Sequence, residues 1–90
     1  MERNNRIFPN TLRLHRKTQG YTQRQVAHLL GLHDSVPVSL WESGLKLPST
    51  DNLIKLSLLY RTYPNELYSE VFRQHREMIK AKEMELFRSS

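Results

Sequence analysis

The sequence contains no cysteine, and it has few glycines and prolines, three and four among 90 residues. Without cysteine, the chain has neither a disulfide framework nor a thiolate metal site, which fits a reducing compartment. No apolar run reaches the roughly 18 to 20 residues that span a membrane, and the first residues lack the apolar segment of a signal peptide. We therefore expect an intracellular, cytoplasmic protein without membrane contacts.

The sequence also lacks the usual signatures of catalysis. Its four histidines fall at no spacing that gathers two ligands and a carboxylate on one helix face, it has no glycine-rich phosphate loop, and its serines have no evident partner base. Ninety residues suffice for one domain with a modest core, which a bundle of five helices nearly exhausts. The sequence therefore predicts a protein that is not an enzyme, and it implies no metal or cofactor.

Cationic residues are concentrated at the two ends of the chain. The net charge is +5; residues 1–24 carry six cationic side chains against one acidic one, and residues 73–90 carry five against three. Such a distribution favours phosphate contacts, although a solvated helical surface is the alternative. Arg3 and Arg6 lie in a predicted loose arm, residues 1–8, which either enters a narrow minor groove or stays in solvent.

Two short helices joined by a tight turn are predicted between Thr22 and Gly44. Thr22 and Gln25 have the spacing of a capping box, and Gly31 ends the first helix, with Leu32 packing back onto it. The predicted buried positions of this helix are Val26, Ala27, Leu29 and Leu30.

The second of these helices begins near Asp34 or Ser35, either of which can cap it. Pro37 is tolerated because it falls in the first turn. The pattern places Val38, Trp41 and Leu45 on the inward side, and the helix is predicted to close at Gly44.

Flanking helices complete the bundle. Asn10 or Thr11 caps a first helix that runs to about Thr18 and ends at Gly20, with Leu12, Leu14 and the stem of His15 directed inward. Ser49 caps a fourth helix that is apolar around much of its circumference and is therefore predicted to be the most buried one. Its apolar residues are Leu53, Ile54, Leu56, Leu58 and Leu59. A further turn opens at Pro64 and Asn65, with Leu67 and Tyr68 packing onto the bundle.

A last helix is predicted from Ser69 to Phe87. Its apolar stripe consists of Phe72, His75, Ile79, Lys82 and Leu86, with Val71, Met78 and Phe87 nearby. Three fates remain open for this stripe: packing on its own domain, pairing with the same helix of a second subunit in a two-fold dimer, or exposure on a frayed tail.

Five segments between Leu12 and Leu67 occur in the order and at about the spacing of the Cro and phage-repressor helix-turn-helix family, also called XRE-type. These segments are LRLHRKTQG, TQRQVAHLLG, SLWESG, LPSTDNLIKLSLLY and PNELY. The resemblance implies an all-α fold, a five-helix lambda-repressor-like DNA-binding bundle with an additional C-terminal helix. The predicted domains are a flexible basic arm over residues 1–8, the helix-turn-helix domain over 9–68, and a C-terminal amphipathic helix and tail over 69–90.

The resemblance also implies roles for individual residues. It assigns Arg16 and Glu42 to a partly buried structural ion pair, in which the planar guanidinium can bind the carboxylate through two hydrogen bonds. It assigns Gln23, the second residue of its helix, and Lys46, on the loop after the third helix, to DNA phosphates. Arg24 either adds a charge to the same phosphate or points to solvent.

The third helix carries the residues expected to face bases, which are Ser35, Val36, Pro37, Ser39 and Leu40. None is the Gln, Asn, Arg or Lys that makes paired hydrogen bonds to purines. The helix therefore either reads thymine-rich major-groove edges through methyl contacts and DNA shape, or binds a protein through its apolar residues. Asp34 repels phosphate unless its carboxylate is used as a helix cap.

The sequence thus predicts a sequence-specific regulator of transcription that binds double-stranded DNA as a homodimer and acts as a repressor by occupying its site. The alternative is a helix-turn-helix fold reused as a protein-interaction module, for example with an antitoxin-like role or a regulatory partner. Whether Val36, Pro37 and Leu40 meet DNA or protein separates the two.

Overall fold

The computed structural model describes residues 7–89, and over this range the fold is all-helical, as predicted. Six α-helices follow one another in the described residues: α1 Leu12–Gln19, α2 Gln23–Leu30, α3 Val36–Glu42, α4 Thr50–Tyr60, α5 Pro64–Leu67 and α6 Ser69–Ser89. None of the helices in this range combines the length and apolar character that crossing a bilayer requires. The first five form the bundle, and α6 extends from it.

The capping signals of α2 are confirmed. The Gln25 backbone N–H donates to the Thr22 hydroxyl at 3.1 Å, and the Thr22 N–H donates to the Gln25 side-chain oxygen at 2.9 Å, so the capping box is complete. Gly31 ends the helix with a φ of 77°, in the left-handed region that glycine adopts without a steric penalty. The Leu32 N–H then donates to the Ala27 carbonyl at 2.8 Å, which returns the chain toward α3.

Asn10 joins the start of α1 to the end of α3. Its side-chain oxygen accepts from the Leu12 N–H at 3.0 Å, and its amide nitrogen donates to the Trp41 carbonyl at 2.9 Å. The Thr11 hydroxyl instead donates to the Glu66 carbonyl at 3.0 Å. Of the two predicted caps, Asn10 therefore serves α1, and it also sets the distance between α1 and α3.

The start of α3 is capped by Asp34 and not by the side chain of Ser35. The Asp34 carboxylate accepts from the Val36 N–H at 3.0 Å, whereas Ser35 makes no side-chain cap bond. Its negative charge is thus satisfied by backbone at the turn. Pro37 lies in the first turn of α3, as predicted.

The end of α3 differs from the prediction. The helix stops at Glu42, two residues before Gly44, whose φ of 81° reverses the chain. The Leu45 N–H donates to the Leu40 carbonyl at 3.1 Å, and this closure directs the Leu45 side chain outward, where it is 53% exposed. The prediction that Leu45 points inward is therefore wrong.

One continuous core occupies the interior of the bundle. Its buried members are Leu12, Val26, Ala27, Leu30, Val38, Trp41, Leu56, Tyr60, Leu67, Tyr68 and Val71. Phe8 packs against this core, and the backbone N–H groups of Ile7 and Phe8 donate to the Gly44 carbonyl at 3.2 and 3.1 Å. Two residues of the predicted arm are therefore attached to the bundle, while Arg3 and Arg6 lie outside the described residues.

Several residues predicted to be buried are exposed instead. Leu14 is 64% exposed because Leu12 and Arg16, one turn apart, define the buried side of α1, and Leu29 is 52% exposed because Val26 and Leu30 do the same in α2. On α4, Leu56 and Tyr60 are buried, whereas Ile54 and Leu58 face solvent. α4 is thus covered on one side only, and the prediction that it is the central, most buried helix is wrong.

α6 packs on the bundle only at its beginning. Val71 is buried, and every residue from Phe72 to Arg88 is exposed. Among the described residues, the stripe is therefore not buried on its own domain beyond Val71, which was one of the three fates considered. Pairing with a second subunit and simple exposure remain.

Candidate DNA interface

A buried ion pair joins α1 to the end of α3. Arg16 Nε donates to one oxygen of the Glu42 carboxylate at 2.6 Å, and Arg16 Nη2 donates to the other at 3.1 Å. Both residues are buried, and the remaining guanidinium nitrogen donates to the Tyr21 carbonyl at 3.0 Å. The hydrogen bond to Glu42 raises the pKa of Arg16, so the guanidinium stays charged. The paired geometry fixes the direction of α3 relative to α1.

Gln23 extends this pair into a network of three side chains. Its amide nitrogen donates to Glu42 Oε1 at 3.0 Å, so the start of α2 is attached to the same carboxylate as α1. A glutamine amide carries two hydrogens and an acceptor oxygen. One hydrogen is used by Glu42, and the second is left for another partner. The residue that the resemblance assigns to phosphate is therefore also a support for α3.

An open cleft lies between α1 and α3, with a volume of about 450 Å³. We call it the α1–α3 cleft; its lining residues are Asn10, Thr11, Arg13, Leu14, Arg16, Gln23, Ser39, Glu42 and Ser43. Because Arg16 and Glu42 neutralise each other, Arg13 leaves the lining with a net positive charge. The cleft therefore suits an anion.

Arg13 and Ser43 were not among the predicted site residues. Arg13 is exposed and lies three residues before Arg16, so helical spacing from Arg16 was the signal that could have identified it. The Ser43 hydroxyl donates to the Leu40 carbonyl at 3.0 Å. Its place beside the cleft depends on the end of α3, which the sequence pattern put two residues too late.

A second cleft, of about 350 Å³, lies at the turn between α2 and α3. We call it the turn cleft; its lining residues are Arg24, Ala27, His28, Leu32, His33, Asp34 and Ser35. The predicted site residues are thus distributed over two clefts, with Gln23 and Ser39 in the first and Arg24 and Ser35 in the second. Of these two clefts α3 lines the first alone, through Ser39 and Glu42, and Val36, Pro37, Leu40 and Lys46 line neither. No group of three or more His, Asp or Glu side chains in residues 7–89 is placed to hold a metal ion.

The outward side of α3 is largely apolar. Val38, Trp41 and Glu42 are buried, which directs Val36 and Leu40, one turn apart, to the opposite side. Val36 is 57% exposed, and Leu40 and Pro37 are partly buried. Ser39 is the exposed polar residue of this helix.

Lys46 follows α3 at a defined position. Its side chain is exposed, and its backbone N–H donates to the Leu40 carbonyl at 3.3 Å, so the backbone that carries it is attached to α3. Arg24 is also exposed, on α2. Cationic side chains therefore lie on the elements around α3, while α3 itself has none.

The comparisons with known proteins agree with this architecture. A family model described as Helix-turn-helix matches residues 12–67, which is more than half of the chain and covers α1 to α5. No curated protein matches the chain. No solved structure matches it. The matched residues include the buried network, the turn cleft and all of the α1–α3 cleft except Asn10 and Thr11, and they leave α6 outside. The chain belongs to the XRE-type helix-turn-helix family, the Cro and phage-repressor type, which is a family of DNA-binding regulators.

Proposed function

We propose that this protein is a sequence-specific DNA-binding regulator of transcription that inserts α3 in the major groove and represses by occupying its site. The observation that carries the proposal is the Arg16–Glu42–Gln23 network, which fixes α1, α2 and α3 as one unit while leaving the outward side of α3 exposed. A recognition helix needs rigid support on its buried side and an exposed opposite side that can enter the groove.

Phosphate contacts follow from the charges around α3. Arg13 and Gln23 at the α1–α3 cleft, Arg24 at the turn cleft, and Lys46 after α3 form a rim of donors around the helix. Each cation that meets a phosphate releases counterions, which supplies affinity without reading sequence. Asp34, whose carboxylate accepts the Val36 N–H, opposes these contacts with one negative charge against the three cations Arg13, Arg24 and Lys46.

In this proposal, the protein acts as a homodimer in the cytoplasm and has no catalytic activity. A dimer places two α3 helices on half-sites about one helical turn of DNA apart. The exposed apolar residues of α6, among them Phe72, Met78 and Ile79, supply a surface for the second subunit. Bound at a promoter, such a dimer excludes polymerase.

The test is binding of the purified protein to random duplex DNA between about 50 and 200 mM salt, followed by selection of bound sequences. Lys46→Ala and Arg13→Ala should each lower the slope of log affinity against log salt by about 1. Gln23→Ala should lower affinity and leave the slope unchanged, because its side chain is neutral. Lys80→Ala, which removes the same charge from α6, is the matched control. Absence of salt-dependent binding would overturn the proposal.

A second candidate function is supported by the same α3 surface. Because its outward side lacks amide and cationic side chains, it also fits a protein partner that covers Val36, Pro37 and Leu40. In that case DNA binding is weak or unspecific, and selection enriches no sequence. Val36→Ser would then weaken binding of the partner without adding a charge, so the weak affinity for DNA should stay unchanged.

A further inference from the structure

We propose that α3 recognises the 5-methyl groups of pyrimidines in the major groove, through Val36 and Leu40. This inference rests on the proposed DNA-binding function and states which chemical group the helix reads. The ligand chemistry is a methyl group on C5 of a pyrimidine, which both thymine and 5-methylcytosine present in the major groove.

The first observation is the chemistry of the exposed side of α3. The helix reads VPVSLWE, and its only ionisable residue, Glu42, is buried against Arg16 and Gln23. No side chain on α3 can donate the paired hydrogen bonds that identify guanine or adenine. Ser39 can bond to several base edges and therefore discriminates little. Selectivity in this helix has to come from apolar contact.

The second observation is the spacing of the apolar side chains. Val36 and Leu40 are four residues apart on the outward side, so their Cβ atoms lie about 5–6 Å apart. Base pairs in duplex DNA are stacked about 3.4 Å apart. The two side chains therefore reach neighbouring base pairs. Pro37, which follows Val36 in sequence and is partly buried, has no backbone N–H, so it adds no hydrogen-bond donor to the first turn.

Apolar contact also excludes the wrong bases. A valine placed over the carbonyl of guanine or the amino group of cytosine removes water from a polar edge without replacing its hydrogen bond. Over a pyrimidine methyl group, the same valine buries apolar surface of both the methyl group and its own side chain. Burial of one methyl group is worth about fourfold in affinity.

The charges around α3 identify duplex DNA as the occupant of this surface. Arg13, Arg24 and Lys46 lie on the three elements next to α3, where the phosphates on either side of a major groove would run. The Glu42 charge is paired with Arg16, and these three cations outnumber the carboxylate of Asp34, which caps α3. An apolar strip inside a cationic rim complements a groove of methyl groups between two phosphate backbones.

The experiment uses the full chain and the duplex enriched by selection. The base pairs under α3 are synthesised as thymine, deoxyuridine, cytosine or 5-methylcytosine, each with its proper partner, so that deoxyuridine and cytosine serve as the unmethylated versions of the other two. We expect addition of the methyl group to raise affinity about fourfold per contacted position in both pairs. A gain with thymine alone identifies thymine as the ligand, and a gain in both pairs identifies the methyl group in either base.

The variants separate this inference from the proposed function. Val36→Ala truncates the contact at an exposed position, so the protein should fold, bind in a salt-dependent manner and lose the methyl gain at the base pair under Val36, while the gain under Leu40 remains. Leu58→Ala removes a similarly exposed apolar side chain from α4 and should keep the gain. Tight, salt-dependent binding with equal affinity for thymine and deoxyuridine duplexes would overturn the methyl inference alone. Absence of binding to every duplex, or capture of the surface by a protein, would overturn the DNA-binding proposal as well.

Discussion

The helices within residues 12–67 and the C-terminal helix α6 differ in what covers their apolar side chains. Each of α1 to α5 buries at least one apolar residue in the common core. α6 carries apolar residues at helical spacing as well, yet from Phe72 to Arg88 all of its residues are exposed. Periodicity alone therefore does not define a core. A stripe is buried only where another element lies opposite it.

The two regions also use ion pairs differently. Arg16 and Glu42 are buried and connect residues 26 positions apart, so their pairing is part of the tertiary structure. Arg73 pairs with Glu70 and, at 3.0 Å, with Glu77, all exposed on one side of α6. Such local pairs stabilise a helix along its own length. The bundle also has a local pair, Lys55 with Asp51 at 3.5 Å on α4, so the distant, buried pair is what distinguishes it from α6.

The largest loss of stability is expected from breaking the buried ion pair between Arg16 and Glu42. Glu42→Ala leaves the Arg16 guanidinium buried without its partner and removes the acceptor of Gln23, so the free energy of unfolding should fall by about 3–5 kcal/mol. Glu70→Ala removes an exposed carboxylate from α6 and should leave the urea midpoint nearly unchanged. Urea unfolding followed by circular dichroism measures both. Equal losses in the two variants would show that the buried and exposed pairs contribute alike.

Truncating an apolar side chain should affect stability much more in the bundle than in α6. Leu56 is 1% exposed on α4, and Leu56→Ala should cost about 2–5 kcal/mol through lost burial and the cavity left behind. Ile79→Ala in α6 should change the free energy of unfolding by less than about 0.5 kcal/mol at low protein concentration. A large loss in Ile79→Ala at a concentration where the protein is monomeric would contradict the exposure of α6.

Self-association should depend on α6. If a second subunit covers its stripe, Ile79→Lys places a charge in an apolar interface and should raise the dimer dissociation constant at least about tenfold. Sedimentation equilibrium measures this constant, and Leu58→Lys on α4 is the matched control with the same substitution type. Dissociation by Leu58→Lys instead would move the interface to α4. A wild-type protein that stays monomeric would remove the dimer from the proposed function.

The sequence predicted best what is decided locally. The capping box of Thr22 and Gln25, the glycine ends of α1 and α2, the cap at Ser49 and the buried pair Val38 and Trp41 all depend on residues within a turn or two of one another. Local hydrogen bonds and helical spacing determine these features, and the family resemblance supplied the order of the helices.

Features that depend on distant neighbours were predicted less well. Leu14, Leu29 and Leu58 are apolar, as core residues are, but among the described residues no element covers them and they are exposed. Asn10 bridges to the Trp41 carbonyl, and Gln23 bonds to Glu42, across 31 and 19 residues of sequence. Spacing along one helix holds no information about such partners. Arg13 beside the α1–α3 cleft was missed for a different reason, since its spacing of three residues from Arg16 on α1 could have identified it.

The smallest effect is expected from two buried tyrosines of the bundle, Tyr60 and Tyr68. Their hydroxyl groups are buried and have no hydrogen-bond partner among the described residues. Tyr60→Phe or Tyr68→Phe removes an unsatisfied polar atom and should leave the free energy of unfolding at neutral pH unchanged or raise it by about 1 kcal/mol. Urea unfolding is again the measurement, and a loss greater than about 1 kcal/mol would reveal a hydrogen bond at that hydroxyl.

The same two tyrosines make the bundle sensitive to alkaline pH. Burial raises the pKa of Tyr60 and Tyr68 above the ordinary value of 10.0, and the charge of Glu42 adds to the effect at Tyr60. The unfolded chain therefore loses these protons first, so stability is fully present below pH 10.0 and falls as pH rises further, by about 1.4 kcal/mol per unit for each tyrosine. Tyr60→Phe should halve this slope. Because α6 from Phe72 to Arg88 contains no tyrosine, its helicity supplies an internal control that should not share the slope.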